Sequence, residues 1–398
     1  MIPTRAALTV PAIVLVLSGC GAVSAVTVRT TTHRAALADA APAKSPIAMA
    51  TPAPAPVPPI VSGVGGSIVE TVPGTGANEW LEILNSHGAV VARTSIDPPN
   101  FWMTSAGPAG AYWTQGGSEH VLTAAGAVLS LGTVPADAND VVIGPDGASY
   151  AYATSDQLKD DGTSLNKIVV VRPGAAAQVI ADRISDPNHP TADAPYMWDY
   201  YLLSWTTPGI AFARVPTGGC GCGSFDMQMQ SAFSGIINPA SEVVTTLTAD
   251  NSCPLSQVGP STETVCFATA NGAAGNTSIR IGSNGVVTHI YTLSGTTLGG
   301  DATFAPDGSS VAYITIPVSE DTCGATLTPT LRVLDVATGS AVSRNVGDFT
   351  PQAWGQNGLI YGQMTDGSDS WLVAVNPATF AVTRLTTNSS GAGFVGIM

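Results

Sequence analysis

The chain has 398 residues, of which 44% are hydrophobic and only 11% are charged, and its formal net charge is −14. With 14 Lys and Arg residues in total, it lacks the dense basic surface that nucleic acid binding requires, so we exclude nucleic acid as a partner. The 43 Gly and 29 Pro residues predict many turns. The sequence has no heptads and no three-residue Gly period, which excludes coiled-coil and collagen-like structures.

Residues 1–19 have the pattern of a secretion signal. Arg5 supplies the positive charge of the n-region, and residues 6–17 form an apolar run that is too short to span a bilayer. The run ends in Leu17-Ser18-Gly19-Cys20, which resembles the lipobox of bacterial lipoproteins. In that family the cysteine is acylated and becomes the N-terminus. The resemblance implies lipidation at Cys20 and a membrane-anchored chain at the bacterial cell envelope, facing outside the cytoplasm. An ordinary signal peptide with a chance cysteine is the alternative.

Residues 20–61 are rich in Ala, Thr and Pro and show no pattern of a folded domain. Pro alternates with small residues between Thr51 and Pro59, which favours extended polyproline II structure over helix or sheet. We interpret this segment as a disordered linker that tethers a folded domain, residues 62–398, to the membrane. A Pro-rich docking site for a partner is the alternative.

The domain contains a repeated strand–turn–strand motif. Residues 143–154 and 304–315 are close copies, each with a central Pro-Asp-Gly in which Pro and Gly occupy the positions that a type I turn favours. Weaker copies keep an aromatic residue. The aromatics recur about every 50 residues, the length of a four-stranded propeller blade; they are Tyr112, Tyr152, Phe212, Phe267, Tyr313 and Tyr361.

A second hairpin of alternating strands follows each motif, for example around Pro173-Gly174 and Asn284-Gly285. There are seven second hairpins but only six first ones, and residues 391–398 form one unassigned apolar strand. Since a ring of blades is often closed by a strand from the far terminus, we predict an all-β propeller of seven four-stranded blades closed by the C-terminal strand. The predicted blades are 62–96 with 391–398, 97–135, 136–186, 187–250, 251–296, 297–347 and 348–390.

The Pro-Asp-Gly turn, followed by small and aromatic residues, resembles the WD40-like repeats of the TolB-type propeller superfamily. The resemblance covers residues 62–398, with two repeats intact. It implies an extracytoplasmic binding scaffold, or a propeller of the kind that is attached to peptidases. In place of the N-terminal α/β domain of TolB, residues 1–61 carry the signal and linker, so the partners of TolB are not carried over.

Cysteine positions predict one disulfide. Cys253 and Cys266 lie in one predicted blade, and an exported chain permits the bond between them. The pairing of Cys220, Cys222 and Cys323 stays open. Metal binding by the Cys-Gly-Cys motif is the alternative, but two thiolates without a nearby His make an incomplete zinc site. We expect no metal and no cofactor.

The sequence carries none of the linear motifs of serine hydrolases, zinc peptidases or phosphate-binding loops. Aromatic residues are instead concentrated between positions 196 and 205, beside a carboxylate, an arrangement that suits a sugar ring or a peptide. The candidate binding residues are Tyr196, Trp198, Asp199, Tyr200 and Trp205. The alternative is an inner strand from Tyr200 to Trp205 whose aromatics pack between blades.

These patterns favour a non-catalytic binding or scaffold protein whose ligand is a protein or polysaccharide at the envelope. The alternative is a propeller enzyme, a lyase or hydrolase, with its site in the central funnel, where loops from several blades bring distant carboxylates together. A third possibility is a propeller that serves only as a structural spacer. The fold alone does not decide between them.

Overall fold

The computed structural model describes residues 67–74, 78–85, 88–97, 104–189, 197–216, 233–248, 253–259, 262–270, 273–320, 327–366, 369–386 and 393–398. These residues form 28 β-strands and one short 3-10 helix, Val318–Glu320. The predicted signal and linker, residues 1–61, lie outside the described residues. The described part of the chain holds no helix of the length and hydrophobicity that a bilayer-spanning segment needs.

The strands form seven antiparallel four-stranded sheets, each one blade of a β-propeller. Blade 1 contains β1 (Ile68–Pro73), β2 (Glu79–Leu84), β3 (Val90–Ile96) and the last strand of the chain, β28 (Gly393–Ile397). Blade 2 contains β4 (Thr104–Gly107), β5 (Gly110–Gln115), β6 (Ser118–Leu122) and β7 (Val128–Thr133). Blade 3 contains β8 (Ala138–Ile143), β9 (Tyr150–Gln157), β10 (Ser164–Val171) and β11 (Gln178–Ser185).

The remaining blades follow in chain order. Blade 4 contains β12 (Trp198–Thr206), β13 (Gly209–Pro216), β14 (Phe233–Ile237) and β15 (Val244–Thr248). Blade 5 contains β16 (Leu255–Val258), β17 (Glu263–Ala268), β18 (Ser278–Ser283) and β19 (Val286–Thr292). Blade 6 contains β20 (Thr297–Phe304), β21 (Ser310–Pro317), β22 (Thr330–Asp335) and β23 (Ala341–Arg344). Blade 7 contains β24 (Asp348–Trp354), β25 (Ile360–Asp366), β26 (Asp369–Val375) and β27 (Val382–Arg384).

The C-terminal strand closes the ring, as the excess of second hairpins predicts. Strand β28 pairs antiparallel with β1, with Ile397 opposite Ile68, so the order in blade 1 is β28-β1-β2-β3. Across the blade boundaries, β28 contacts the first strands of blades 2 and 7. The strand therefore occupies the innermost position, and the prediction of seven blades closed by this strand is confirmed.

Each innermost strand meets the innermost strands of both neighbouring blades. Small residues permit this approach in β4, which reads Thr-Ser-Ala-Gly, and in β28, which contains Gly393 and Gly396. Strand β12 is also the innermost strand of its blade, but it carries two Trp and two Tyr residues. Small residues next to the axis are thus a feature of some blades and not of blade 4.

The two Pro-Asp-Gly motifs form the turns that join innermost to second strands. In blade 3 the Gly147 N–H donates to the Gly144 carbonyl at 2.9 Å, and Asp146 accepts the backbone N–H of Ser149 at 2.8 Å. Gly147 has a φ of 68°, a conformation in which a side chain would cost energy. In the similar turn of blade 6, the Gly308 N–H donates to the Ala305 carbonyl at 2.8 Å, Asp307 accepts the backbone N–H of Ser309 at 3.0 Å, and Gly308 has a φ of 71°.

The apolar core lies between the blades. Each of the seven blade–blade contacts has its own cluster of buried side chains, including the contact between blade 7 and blade 1. The recurring aromatic residues all lie on second strands and are buried within these interfaces. One of them adds a hydrogen bond between blades, because the Tyr112 hydroxyl donates to the Gly147 carbonyl at 2.9 Å.

Candidate functional site

The aromatic segment singled out in the sequence is the innermost strand of blade 4, β12. Trp198 and Tyr200 point into the core between blades 3 and 4, with relative exposures of 2% and 4%. The Asn166 side chain donates to the Trp198 carbonyl, which joins the two blades here. The structure thus places Trp198 and Tyr200 in the core rather than on a surface that a ligand can reach. Tyr196 lies outside the described residues.

A buried arginine packs against this aromatic cluster. The Arg214 guanidinium lies over the Trp198 ring at 4.9 Å and over the Phe233 ring at 4.3 Å. Such cation–π contacts stabilise a desolvated cation. Trp198 therefore has a structural role in blade 4, because its ring helps to hold a charge that the core would otherwise disfavour.

Asp199 and Trp205 are the other two candidate binding residues on β12, and both are partly exposed. Burial raises the pKa of Asp199, whereas a hydrogen bond with Ser155 acts in the opposite direction. The Oδ1 atom of Asp199 is buried without a partner among the described residues. Trp205 lies at the other end of β12, where it lines a cavity. The four described sequence candidates therefore do not converge on one site, and Tyr196 stays a prediction.

The cavity has a volume of about 620 Å³ and opens where the innermost strands of blades 2, 3 and 4 reach their turns. Its wall comprises residues of β4, β8 and β12 together with Pro108, Gly144 and Pro145 of the turns. Innermost strands surround the axis of a propeller, so the cavity lies beside the central channel. Its volume is within the range of ordinary small-ligand sites.

Asp140 is the carboxylic acid of this cavity. It lies on β8 with 5% relative exposure, and it accepts the backbone N–H of Val141 at 3.0 Å and that of Leu202 from the neighbouring blade. Burial raises the pKa of Asp140 to about 8, although both hydrogen bonds act to lower it. The side chain is therefore mostly protonated at neutral pH. Burial, and to a lesser extent the negative charge that Asp140 carries when ionised, raises the pKa of Tyr201.

Irregular strand pairing positions the polar groups of the cavity. The register between β8 and β9 shifts just before Asp140, and that between β12 and β13 shifts just before Ser204. Such β-bulges turn the following side chains relative to a regular strand. Ser204 belongs to the cavity wall, and its hydroxyl oxygen is buried with no hydrogen-bond partner among the described residues. Buried polar atoms in folded proteins nearly always have a partner, so this unpartnered hydroxyl is an unusual feature of the wall.

Asp140, Tyr201 and Ser204 were not singled out from the sequence. For Asp140 a signal was present, since an acid that directly precedes the apolar run Val141-Val142-Ile143 indicates a carboxyl at the edge of a core strand. Ser204 gave no such signal, because its orientation depends on the bulge. The three residues meet only after blades 3 and 4 have packed together.

The two cysteines proposed as a pair, Cys253 and Cys266, are joined by a disulfide with a Cα–Cα distance of 5.3 Å. The bond fixes the start of blade 5 to its second strand, β17. Cys220, Cys222 and Cys323 lie outside the described residues, as does Cys20. Within the described ranges, no group of three or more His, Cys, Asp or Glu side chains is arranged to hold a metal ion.

No protein-family model and no curated protein matches this chain. Among solved structures, an acylaminoacyl peptidase from Pyrococcus horikoshii is similar, with a TM-score of 0.52 and 10% identity over 81% of this chain and 50% of that chain. An oligogalacturonate lyase from Vibrio parahaemolyticus gives 0.48 and 12% identity over 81% and 86%.

TolB from Acinetobacter baumannii gives a TM-score of 0.41 and 10% identity over 83% of both chains. TolB proteins, lyases and peptidases are thus all among the structural neighbours, and the chain spans only half of the peptidase. At such low identity the likeness shows the fold alone. The protein is a seven-bladed β-propeller. Its function has to be argued from its own residues.

Proposed function

We propose that this protein is a lipid-anchored, extracytoplasmic propeller that binds a protein or polysaccharide ligand at the bacterial envelope without catalysing its conversion. The Arg5-to-Cys20 signal pattern and the Pro-rich linker support the location. The observation that carries the binding role is the cavity of about 620 Å³ beside the central channel, with a buried and unpartnered Ser204 hydroxyl in its wall. A propeller that served only as a spacer would have no need of such a cavity.

Anchoring is tested with a Cys20→Ser variant of the full chain. We expect the parent to incorporate labelled palmitate and to fractionate with membranes, whereas the variant does neither because it lacks the thiol that forms the thioether. A variant that still carries the label would refute lipidation at Cys20.

Binding is tested by filling the cavity. Ser105 lies on β4 in the cavity wall, and Ser343 lies exposed on the outer strand β23 of blade 6. We expect the full chain to retain ligands from envelope extract, Ser105→Trp to lose them, and the matched control Ser343→Trp to keep them. Melting temperatures of all three proteins establish that both variants are folded. A folded Ser105→Trp protein that retains every ligand would refute the cavity as the binding site.

A propeller enzyme is the second candidate, and Asp140 is the observation that favours it. A carboxyl whose pKa is raised to about 8 inside a cavity suits general acid chemistry at neutral pH. If this function is correct, the full chain shortens envelope polysaccharides, with new reducing ends or unsaturated products, and Asp140→Asn abolishes the activity. Cleavage that is unaffected by Asp140→Asn would rule out this role for Asp140.

A further inference from the structure

The cavity wall is electrically neutral. Of the described residues that line it, none is Lys, Arg, His or Glu, and Asp140 is the one Asp. The raised pKa of Asp140 leaves that carboxyl mostly protonated at neutral pH. This neutrality contrasts with the chain as a whole, whose formal charge is −14. The ligand consequently gains no ion pair from the described wall.

Hydroxyl groups supply most of the side-chain hydrogen-bonding capacity. Thr104 and Ser105 come from β4, Ser204 and Tyr201 come from β12, and each hydroxyl both donates and accepts. The Ser204 oxygen is buried and has no partner among the described residues, so rotation of its side chain towards the cavity would let it pair with a ligand. A ligand with hydroxyl groups can both donate hydrogen bonds to the hydroxyls of this wall and accept hydrogen bonds from them.

An aromatic face completes the wall. Trp205 lies at the end of β12 and is partly exposed, with part of its surface packed against the core between blades 3 and 4. Because part of the side chain already packs against the core, its freedom to reorient is reduced before a ligand arrives. An apolar ring face beside hydroxyl groups matches a pyranose, which has C–H groups on its faces and hydroxyls at its edge.

We infer that the cavity binds an uncharged saccharide unit, with the sugar face on Trp205 and a sugar hydroxyl paired with Ser204. This inference rests on the proposed binding function and names its ligand class. Acidic saccharides and phosphorylated ligands are disfavoured, since they need cationic or multiple backbone N–H partners to replace lost hydration. A cation is disfavoured because Asp140 already accepts two backbone N–H groups, from Val141 and Leu202.

A folded protein surface does not fit this site. A stable protein–protein contact buries about 1,200–2,000 Å² in total, far more than the wall of one small cavity provides. A peptide segment is small enough, but each of its amide groups brings a fixed donor and a fixed acceptor rather than the interchangeable hydroxyls that this wall matches. The cavity therefore favours one or two sugar rings, as at the end of a neutral glycan.

Titration calorimetry with the full chain at pH 7 tests the inference. The neutral probes are cellobiose, maltose, mannobiose and diacetylchitobiose, and the comparison probes are digalacturonate and tetra-alanine. We expect at least one neutral disaccharide to bind with a Kd below about 1 mM, and both comparison probes to bind at least tenfold more weakly. If no neutral probe binds, or if digalacturonate or tetra-alanine binds as tightly, the inference is wrong.

Three variants locate the bound sugar. Trp354 is the last residue of the innermost strand of blade 7, and Trp205 is the last but one in that of blade 4. Each lies opposite an Ile of the second strand, and each is partly exposed. We expect Trp205→Ala to weaken binding at least tenfold, Ser204→Ala to weaken it several-fold, and Trp354→Ala to leave the Kd unchanged, with all three folded. Equal effects of the two Trp substitutions would overturn the assignment.

The outcome also separates this inference from the proposed function. If no neutral saccharide binds but Ser105→Trp still abolishes retention of an envelope ligand, the cavity is a binding site for another class of molecule. If folded Ser105→Trp changes nothing, the proposed function itself fails.

Discussion

Asp140 makes the stability of the propeller depend on pH, and replacing it with Asn isolates that dependence. Burial raises the pKa of this carboxyl from 3.8 to about 8, and Tyr201 is the titratable group that faces it. Between pH 5 and pH 7 the folded protein keeps the proton on Asp140 while the unfolded chain releases it. The contribution of protonated Asp140 to the free energy of unfolding is therefore fully present below about pH 4, and it is lost as the pH rises through about 8.

The size of the effect follows from that single proton. One proton bound on folding changes the free energy of unfolding by about 1.4 kcal/mol per pH unit, or about 3 kcal/mol between pH 5 and pH 7. Asn cannot ionise, so Asp140→Asn removes this slope. The amide also presents an N–H group where the carboxyl accepts two backbone N–H groups, which costs about 1–3 kcal/mol at every pH. Only the slope of the unfolding free energy against pH therefore reports the ionisation of the Asp140 carboxyl.

Urea unfolding of the full chain at pH 5, 6 and 7, followed by tryptophan fluorescence, measures the slope directly. Glu70 and Glu119 are also buried with pKa values raised to about 8, and they contribute equally to parent and variant. The control is Asp160→Asn, since Asp160 is exposed in a loop of blade 3. An Asp140→Asn protein whose pH slope equals that of the parent would mean that Asp140 is ionised in the folded state, contrary to this reasoning.

Three further predictions concern the ring. Deleting residues 391–398 removes the innermost strand of blade 1 and exposes an unpaired edge, so light scattering should show aggregation; a truncated chain that melts like the parent would contradict closure by this strand. Replacing Cys253 and Cys266 together with Ser should lower the free energy of unfolding by about 2–4 kcal/mol, and reductant should then have no further effect on blade 5. Tyr112→Phe should cost about 1 kcal/mol in urea unfolding, because it removes one hydroxyl donor between blades; no loss would show that the bond is not stabilising.

Most of the fold was predictable because its signals are local. The Pro-Asp-Gly turns at 145–147 and 306–308 need only neighbouring residues, and each second hairpin is defined by alternation around a short turn. Ring closure followed from counting, since six first hairpins and seven second ones leave one strand without a pair. These features require no knowledge of which side chains meet in space.

The site was less predictable because its members come from three blades. In β12 both faces carry aromatic residues, so alternation did not reveal that Trp198 and Tyr200 face the core whereas Tyr201 and Trp205 line the cavity. The bulges were equally hidden, because an extra residue in one strand is defined only by its pairing with another. Aromatic content alone therefore indicated β12 but did not separate the core-facing Trp198 and Tyr200 from Trp205, which lines the cavity.

The bulges connect the architecture of the ring to the chemistry of the cavity. Register shifts occur where β8, β12, β16, β20 and β24 pair with their second strands, and also where β28 pairs with β1. A bulge increases local twist, which helps neighbouring strands to pass one another near the axis. In blades 3 and 4 the residues directly after the shift are Asp140 and Ser204. The distortion that lets these strands pack around the axis thus also places two polar residues in the wall of one cavity, and the neutral saccharide that we infer as its ligand suits their chemistry.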